Sequence, residues 1–358
     1  MWKKSREKEN VVVRDVGMDL LRILACIMVV LLHVSDKFML PFDSSDFDAE
    51  TWQIASIFDS ITRWSVPVFV MISGTFMLNK DIPIKKLFQK YIFRLVLLLF
   101  FWNLAYNFSL LTEEMSIRRL LSCILFYHKG YHLWFIYMLI ATYAFIPVLK
   151  VIVDSKQEKY FLALWLACNV IFCGIGEIGG GIPGQVELFA SNIFKEVSIG
   201  YLGFFILGYY VYHRKPFSAK MRRVIFLLGL VGMLGVIFGT LWLFSIHRAN
   251  CEVFYANMNL FVVLMSLAVF AFFTPPHLGR AWNTICYKWK GAIKIVSDCT
   301  LGVYLVHIFV LQFILEHFLA SGINIVVLIP IVWLLTFIIS LMMVIALRRI
   351  PYINFMVR

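Results

Sequence analysis

Apolar stretches of about twenty residues recur from one end of this chain to the other, and that is the length a helix needs to cross the roughly 30 Å hydrocarbon core of a bilayer. Hydrophobic residues make up 61% of the 358, charged residues only 15%, and the mean hydropathy is +0.83, far from the balance of a soluble domain. Backbone N–H and C=O groups in hydrocarbon must be bonded within the segment itself, so long apolar runs separated by short polar ones specify helices. The expected fold is all-α and polytopic, with about ten transmembrane helices near 18–38, 55–78, 92–111, 131–149, 160–178, 198–212, 223–244, 257–274, 298–318 and 323–347. No internal repeat or low-complexity linker divides the chain, so one membrane domain over 1–358 is expected.

The basic residues set an orientation. Segments 1–16, 79–91, 150–159, 213–222, 275–294 and 348–358, with Arg223, hold 24 of the 33 lysines and arginines; the opposite loops, with Lys37, hold six. By the positive-inside bias both terminal tails, 1–16 and 348–358, are cytoplasmic in a multi-pass membrane protein. The same distribution argues against nucleic acid as a partner despite the net charge of +12, because the cations lie in separate clusters between spans and next to membrane lipid. Seven cysteines, odd in number and without CxxC spacing, imply neither a disulfide framework nor a zinc site, and no metal is expected. The first apolar segment has a basic flank like a signal peptide but no small-residue cleavage site, and is expected to be a retained span. The opposite loops are acidic ("LPFDSSDFDAE") or glycine-rich ("GEIGGGIPGQVELFASN"), as suits a solvated, carbohydrate-facing surface or any other solvated loop.

Ionisable residues inside spans cost roughly 2.5–3.5 kcal/mol at the bilayer centre on insertion scales, so they usually face a polar interior. Arg22 and His33 are eleven residues apart in "RILACIMVVLLHVSD". Eleven steps of about 100° return to nearly the same face, about 16 Å further along the axis. Arg22 can snorkel to the cytoplasmic interface or share a polar cavity with His33. His33 has the chemistry of a general base, and Asp36, three residues on, is within reach to hold its ring; a packing histidine is the plain alternative. In "RWSVPVFVMISGTFML", Pro67 predicts a kink, and Gly74, beside Ser73, allows close approach of a helix or ligand. Lys85, Lys86, Lys90 and Arg94 follow, suited to the phosphates of a nucleotide-bearing donor or to anionic lipid. His132 and Trp134 in "YHLWFIYMLIATYAFIP" suit a sugar or an interfacial aromatic belt, and Tyr304 and His307 share one face of "CTLGVYLVHIFVL".

"GMDLLRILACIMVVLLHVSD", "SVPVFVMISGTFML" with its basic sequel, "YHLWFIYMLIATYAFIP", "YLGFFILGYYV" and "LGVYLVHIFVL" stand in the order found in the acyltransferase 3 family, and the chain resembles its small stand-alone bacterial members. These are integral membrane acyltransferases that modify surface glycans, lipopolysaccharide, exopolysaccharide or peptidoglycan. The resemblance places His33 in the catalytic position, with Arg22 as the basic residue that precedes it by ten intervening residues. The family's arginine pair at the start of the third span is matched by Arg94 in its second position, while Tyr91 holds the first and Lys90 lies beside it. Trp134 and His132 match the fourth-span motif, and Tyr304 and His307 a motif common in this branch.

The resemblance implies transfer of an acyl group, acetyl above all, from cytoplasmic acetyl-CoA to a hydroxyl of an envelope glycan or lipid-linked saccharide. His33 would be the base or a transient acyl carrier. Arg22, Lys90 and Arg94 are candidate donor contacts, with Lys86 and Ser73 beside them; His132, Trp134, Tyr304 and His307 are candidate acceptor contacts. No permanently bound cofactor is expected, and assembly as a homodimer is left open. The competing reading is a transporter that moves a glycan or lipid-linked saccharide across the membrane, since a proton-coupled carrier would also bury histidines and arginines.

Overall fold

The computed structural model describes residues 14–40, 44, 47–107, 130–168, 197–214, 216–247, 251–274, 288–318, 323–351 and 354–357. Among these residues every regular element is a helix: α1 (Val16–Asp36), α2 (Ala49–Ser60), α3 (Ser65–Met77), α4 (Ile84–Tyr106), α5 (Trp134–Ala144), α6 (Ile146–Asp154), α7 (Glu158–Trp165), α8 (Val197–His213), α9 (Ala219–His247), α10 (Leu260–Phe273), α11 (Lys290–Phe318) and α12 (Ile325–Leu347). Polar residues set several starts. The side chains of Asp15, Asp48, Asn259 and Asn324 accept backbone N–H bonds in the first turns of α1, α2, α10 and α12.

The all-helical, multi-pass architecture is as expected, but the spans differ in number and extent. Seven segments among the described residues are long and apolar enough to cross a membrane, and a bent pair, α5 with α6, makes an eighth. The expected second span is one of the seven, Ala49–Met77, interrupted by turns at residues 61–64 that separate α2 from α3. Pro67 falls in the first turn of α3, where its missing N–H costs little, so the chain breaks ahead of the proline instead of kinking around it. The expected fourth span bends by 52° at Phe145, just before Pro147 in the first turn of α6. Of the expected fifth span only α7 and the turn after it are described; residues 169–178, like most of the glycine-rich loop, lie outside the described residues. The sixth is α8, of which 17 residues lie among those described. Helix α11 starts eight residues before the apolar stretch, because Lys290, Lys294 and Asp298 continue the helix where hydropathy alone would end it.

Helix α1 runs through the middle of the bundle. Its Met18, Leu21 and Ala25 belong to one buried cluster with α3, α8 and α10, and its Cys26, Val29, Val30 and Val34 to another with α11 and α12. It is therefore enclosed by protein on several sides, and its polar residues need not meet lipid. Helices α3 and α8 cross at two glycines. A Cβ on Gly74 would lie 1.9 Å from the carbonyl oxygen of Phe205, and one on Gly208 would lie 2.1 Å from that of Met71. Gly74 thus admits another helix, one of the two occupants its position allowed. Across the same region Arg214, just after α8, forms an ion pair with the buried Glu158 of α7, which raises the guanidinium's affinity for its proton.

Gly74→Val must push α3 and α8 apart and is expected to destabilise the protein by about 1–3 kcal/mol or more, read as a lower unfolding midpoint in detergent. Gly291→Ala, whose Cβ would meet nothing within 4 Å, should leave the midpoint unchanged or slightly raised.

Candidate active site

A cavity of about 720 Å³ opens beside α1 and is lined by α1, the α2–α3 break, α3, α4, α5, α11 and Arg348 after α12. Eight of the eleven residues singled out from the sequence line it: Arg22, His33, Ser73, Lys90, Arg94, His132, Trp134 and Tyr304. Arg22 and His33 therefore share one wall, as the three-turn spacing along α1 requires. Cations gather at the end where α1, α4 and α11 begin and α12 finishes: Arg14, Arg22, Lys90, Arg94, Lys294 and Arg348. Towards the other end stand His33, His132, Trp134, Tyr304, Arg63 and Asn257.

The histidine end is an aromatic cluster drawn from four parts of the chain: α1, α4, the turn before α5, and α11. The His33 ring centroid lies 5.1 Å from that of His307, 5.3 Å from Tyr131 and 6.3 Å from His132. His132 packs 5.3 Å from His307 and 5.0 Å from Tyr106. The turn that carries His132 is pinned to α11, where the Tyr304 hydroxyl donates to the His132 carbonyl. Tyr106 of α4 donates to the Leu305 carbonyl at 2.7 Å, so α4 is tied to the same stretch of α11. These bonds fix the positions of His33's neighbours. Trp134 packs 5.9 Å from Tyr201, whose hydroxyl accepts from Asn257 at 2.6 Å; indole, phenol and amide together form an aromatic and hydrogen-bonding side to the cavity.

The cationic end is built on carboxylates. Arg14 bonds Asp19 of α1 through two nitrogens and reaches Asp298 of α11 at 2.7 Å; Ser297 donates to Asp19 at 2.8 Å, and Lys294 pairs with Asp298 at 3.0 Å. The bond to Asp19 holds the Arg14 guanidinium charged well beyond its ordinary range. Arg22 stands 4.0 Å from Asp19, at the limit of an ion pair, with a third of its side chain accessible, while Arg348 contacts Cys299 at 3.2 Å. With six cations and the carboxylate of Asp298 on the wall, this end keeps a surplus of positive charge suited to a phosphorylated ligand.

Three sequence expectations need correcting. Asp36 does not hold the His33 ring: His33 Nδ1 is buried without a hydrogen-bond partner, and Asp36 is outside the cavity wall. Helical i,i+3 spacing permits such a contact but does not compel it. Lys86 is exposed on the first turn of α4 and is not on the cavity wall, which Lys90 reaches one turn later. His307 is fully buried beside His33 and His132 and is not on the cavity wall, where an acceptor contact would have to be.

Four cations of the wall were missed as site residues. Arg14, Lys294 and Arg348 are span-end charges that look like topology signals, and Arg63 sits in a break that hydropathy does not reveal. Arg63 is paired with the buried Asp59 and lies over the Tyr255 ring at 3.8 Å, so it is held in place at the cavity edge.

The chain matches the family described as an acyltransferase domain over residues 15–348, and it belongs to that acyltransferase 3 family of membrane proteins. It is also similar to an amino-acid racemase of Enterococcus faecalis, at 24% identity over 321 residues, which cover 81% of this chain and 40% of the relative. The chain thus spans less than half the length of that relative. No solved structure matches.

Removing Arg14 leaves the Asp19 carboxylate buried with fewer charge partners. Arg14→Met is expected to lower stability by about 1–3 kcal/mol, and Arg14→Met with Asp19→Asn to recover part of the loss, as measured by a double-mutant cycle of thermal unfolding.

Proposed function

We propose that the protein is an O-acyltransferase that moves an acyl group, acetyl first among the candidates, from cytoplasmic acyl-CoA to a hydroxyl of an envelope glycan or its lipid-linked precursor. One observation carries this reading: a single cavity joins a cationic mouth, matched to the phosphates of coenzyme A, to a histidine about 16 Å deeper on the same helix. With both termini on the cytoplasmic side, as the positive-inside bias has it, the cationic mouth faces the compartment that holds acyl-CoA.

In this scheme Arg22, Lys90 and Arg94, with Arg14, Lys294 and Arg348, hold the donor's phosphates while its thioester extends towards His33. Trp134 offers a face for a sugar ring, and Asn257 and the polar groups near it bind hydroxyls. His33 takes the proton from the acceptor hydroxyl as its oxygen attacks the thioester carbonyl. The carbon–sulfur bond then breaks, and the proton passes from His33 to the departing thiolate. General-base help of this kind is worth ~10²–10⁴ in rate, and holding both substrates in one cavity supplies a large share of the rest.

His33→Ala in reconstituted vesicles with radiolabelled acyl-CoA is expected to leave insertion intact and to lower acyl transfer by about 10²–10⁴-fold. Transfer at the wild-type rate would refute the scheme. Glycan movement across the vesicle without any ester formed would favour the transporter. Arg22→Gln and Arg94→Gln should raise the KM for acyl-CoA more than that for the acceptor.

A further inference from the structure

Among the buried ring nitrogens without a hydrogen-bond partner, which include both of His132, one on α1 and one on α11 face each other without yet bonding and are chemically complementary. His307 Nδ1 lies 2.6 Å from the carbonyl oxygen of Tyr304 and 3.2 Å from that of Val303. A carbonyl only accepts, so the proton of a neutral His307 is on Nδ1 and its Nε2 carries a lone pair. That Nε2 is buried and has no partner. His33 Nδ1 is likewise buried and unpartnered, and the two rings are 5.1 Å apart with planes inclined by 32°. To present a basic Nε2 to the cavity, His33 must carry its proton on Nδ1, and an N–H in a dry interior needs an acceptor.

The other groups around His33 serve this need less well. Lys37 and Arg63 only donate. Tyr131, from the turn before α5, has a hydroxyl that can accept, but it must also place its own proton, and its ring lies under the Lys37 ammonium at 4.8 Å. The His132 ring is farther away at 6.3 Å. Asp36 makes no bond to the ring, so the role assigned to it by helix spacing is open.

We propose that His307 is the positioning residue of the site: a small rotation of the two facing rings lets its Nε2 accept the Nδ1–H of His33, which fixes the tautomer whose Nε2 faces the substrates and supports the imidazolium formed when that atom takes the acceptor's proton. This rests on the acyl-transfer reading of the cavity. The proton taken from the hydroxyl stays on His33 Nε2 until it goes to the thiolate, the Nδ1 proton stays where it is, and His307 remains neutral throughout.

Two variants and one spectrum test it. His307→Leu removes the acceptor, and His307→Gln replaces it with an amide oxygen. Relative to wild type, His307→Leu is expected to lower kcat by ~10²-fold or more with the KM of both substrates unchanged, and His307→Gln to restore most of it. In ¹⁵N-histidine-labelled wild-type protein in bilayers, the neutral His33 signal, assigned by its loss in His33→Gln, should show the proton on Nδ1. A wild-type kcat in His307→Leu, or a His33 proton on Nε2 in the wild-type spectrum, would overturn the proposal. The spectrum needs no turnover and no His307 variant. If wild-type protein transferred no acyl group, the acyltransferase reading would fail while the tautomer still decided the hydrogen bond.

Discussion

The expense of holding a charged or proton-exchanging group in hydrocarbon, and the need to enclose any helix that carries one, organises this molecule. Helix α1 bears Arg22 and His33 on one face, and the bundle meets that demand by wrapping α1 between two apolar clusters and leaving the polar face open to an internal cavity. The Gly74 and Gly208 crossing lets α3 and α8 close on one side. On another, Arg14, Asp19, Ser297 and Asp298 tie the start of α1 to α11. Further along, Tyr106 and Tyr304 draw α4 and the His132 turn onto the same helix. The site is thus assembled from α1 and α11 with the surrounding helices as supports.

Much of this was legible in the chain itself, because helical arithmetic is rigid. Nothing but the 3.6-residue period is needed to put Arg22 and His33 on one wall, and the motif order along the chain leads to the family that residues 15–348 match. What periodicity could not supply was the meeting of separate helices. His307 is visible as a histidine deep in a span, yet its place beside His33 and off the cavity wall depends on how α1 packs against α11. Arg14, Lys294 and Arg348 carry the same signal as any cation at a span end, and only their convergence on one cavity distinguishes them. Asp36 shows the reverse error, since neighbours on a helix can lie close without bonding.

Hydropathy also misplaced several span limits for one physical reason. It ends a span at the first cluster of charges, whereas a helix continues as long as its backbone bonds are satisfied. Lys290, Lys294 and Asp298 extend α11 beyond its apolar stretch, and the last two of them line the cavity mouth. Pro67 and Pro147 act locally, the first following an interruption of the helix within one span and the second a bend in another. The break puts Arg63 at the cavity edge, the bend follows a helix that carries Trp134 on the cavity wall, and both interruptions therefore lie in segments that contribute to the site.

The central claim is that one cavity leads the acyl group of a donor held at the cationic mouth to His33. Photocrosslinking with an acyl-CoA whose acyl chain carries a diazirine, followed by mass spectrometry of the labelled peptides, tests it directly. The account predicts labels around His33, Phe135 and Tyr304, suppressed by unlabelled acyl-CoA. Labels confined to the separate groove between α9 and α10 lined by Arg222, Phe226 and Phe272, or insensitive to unlabelled donor, would contradict it.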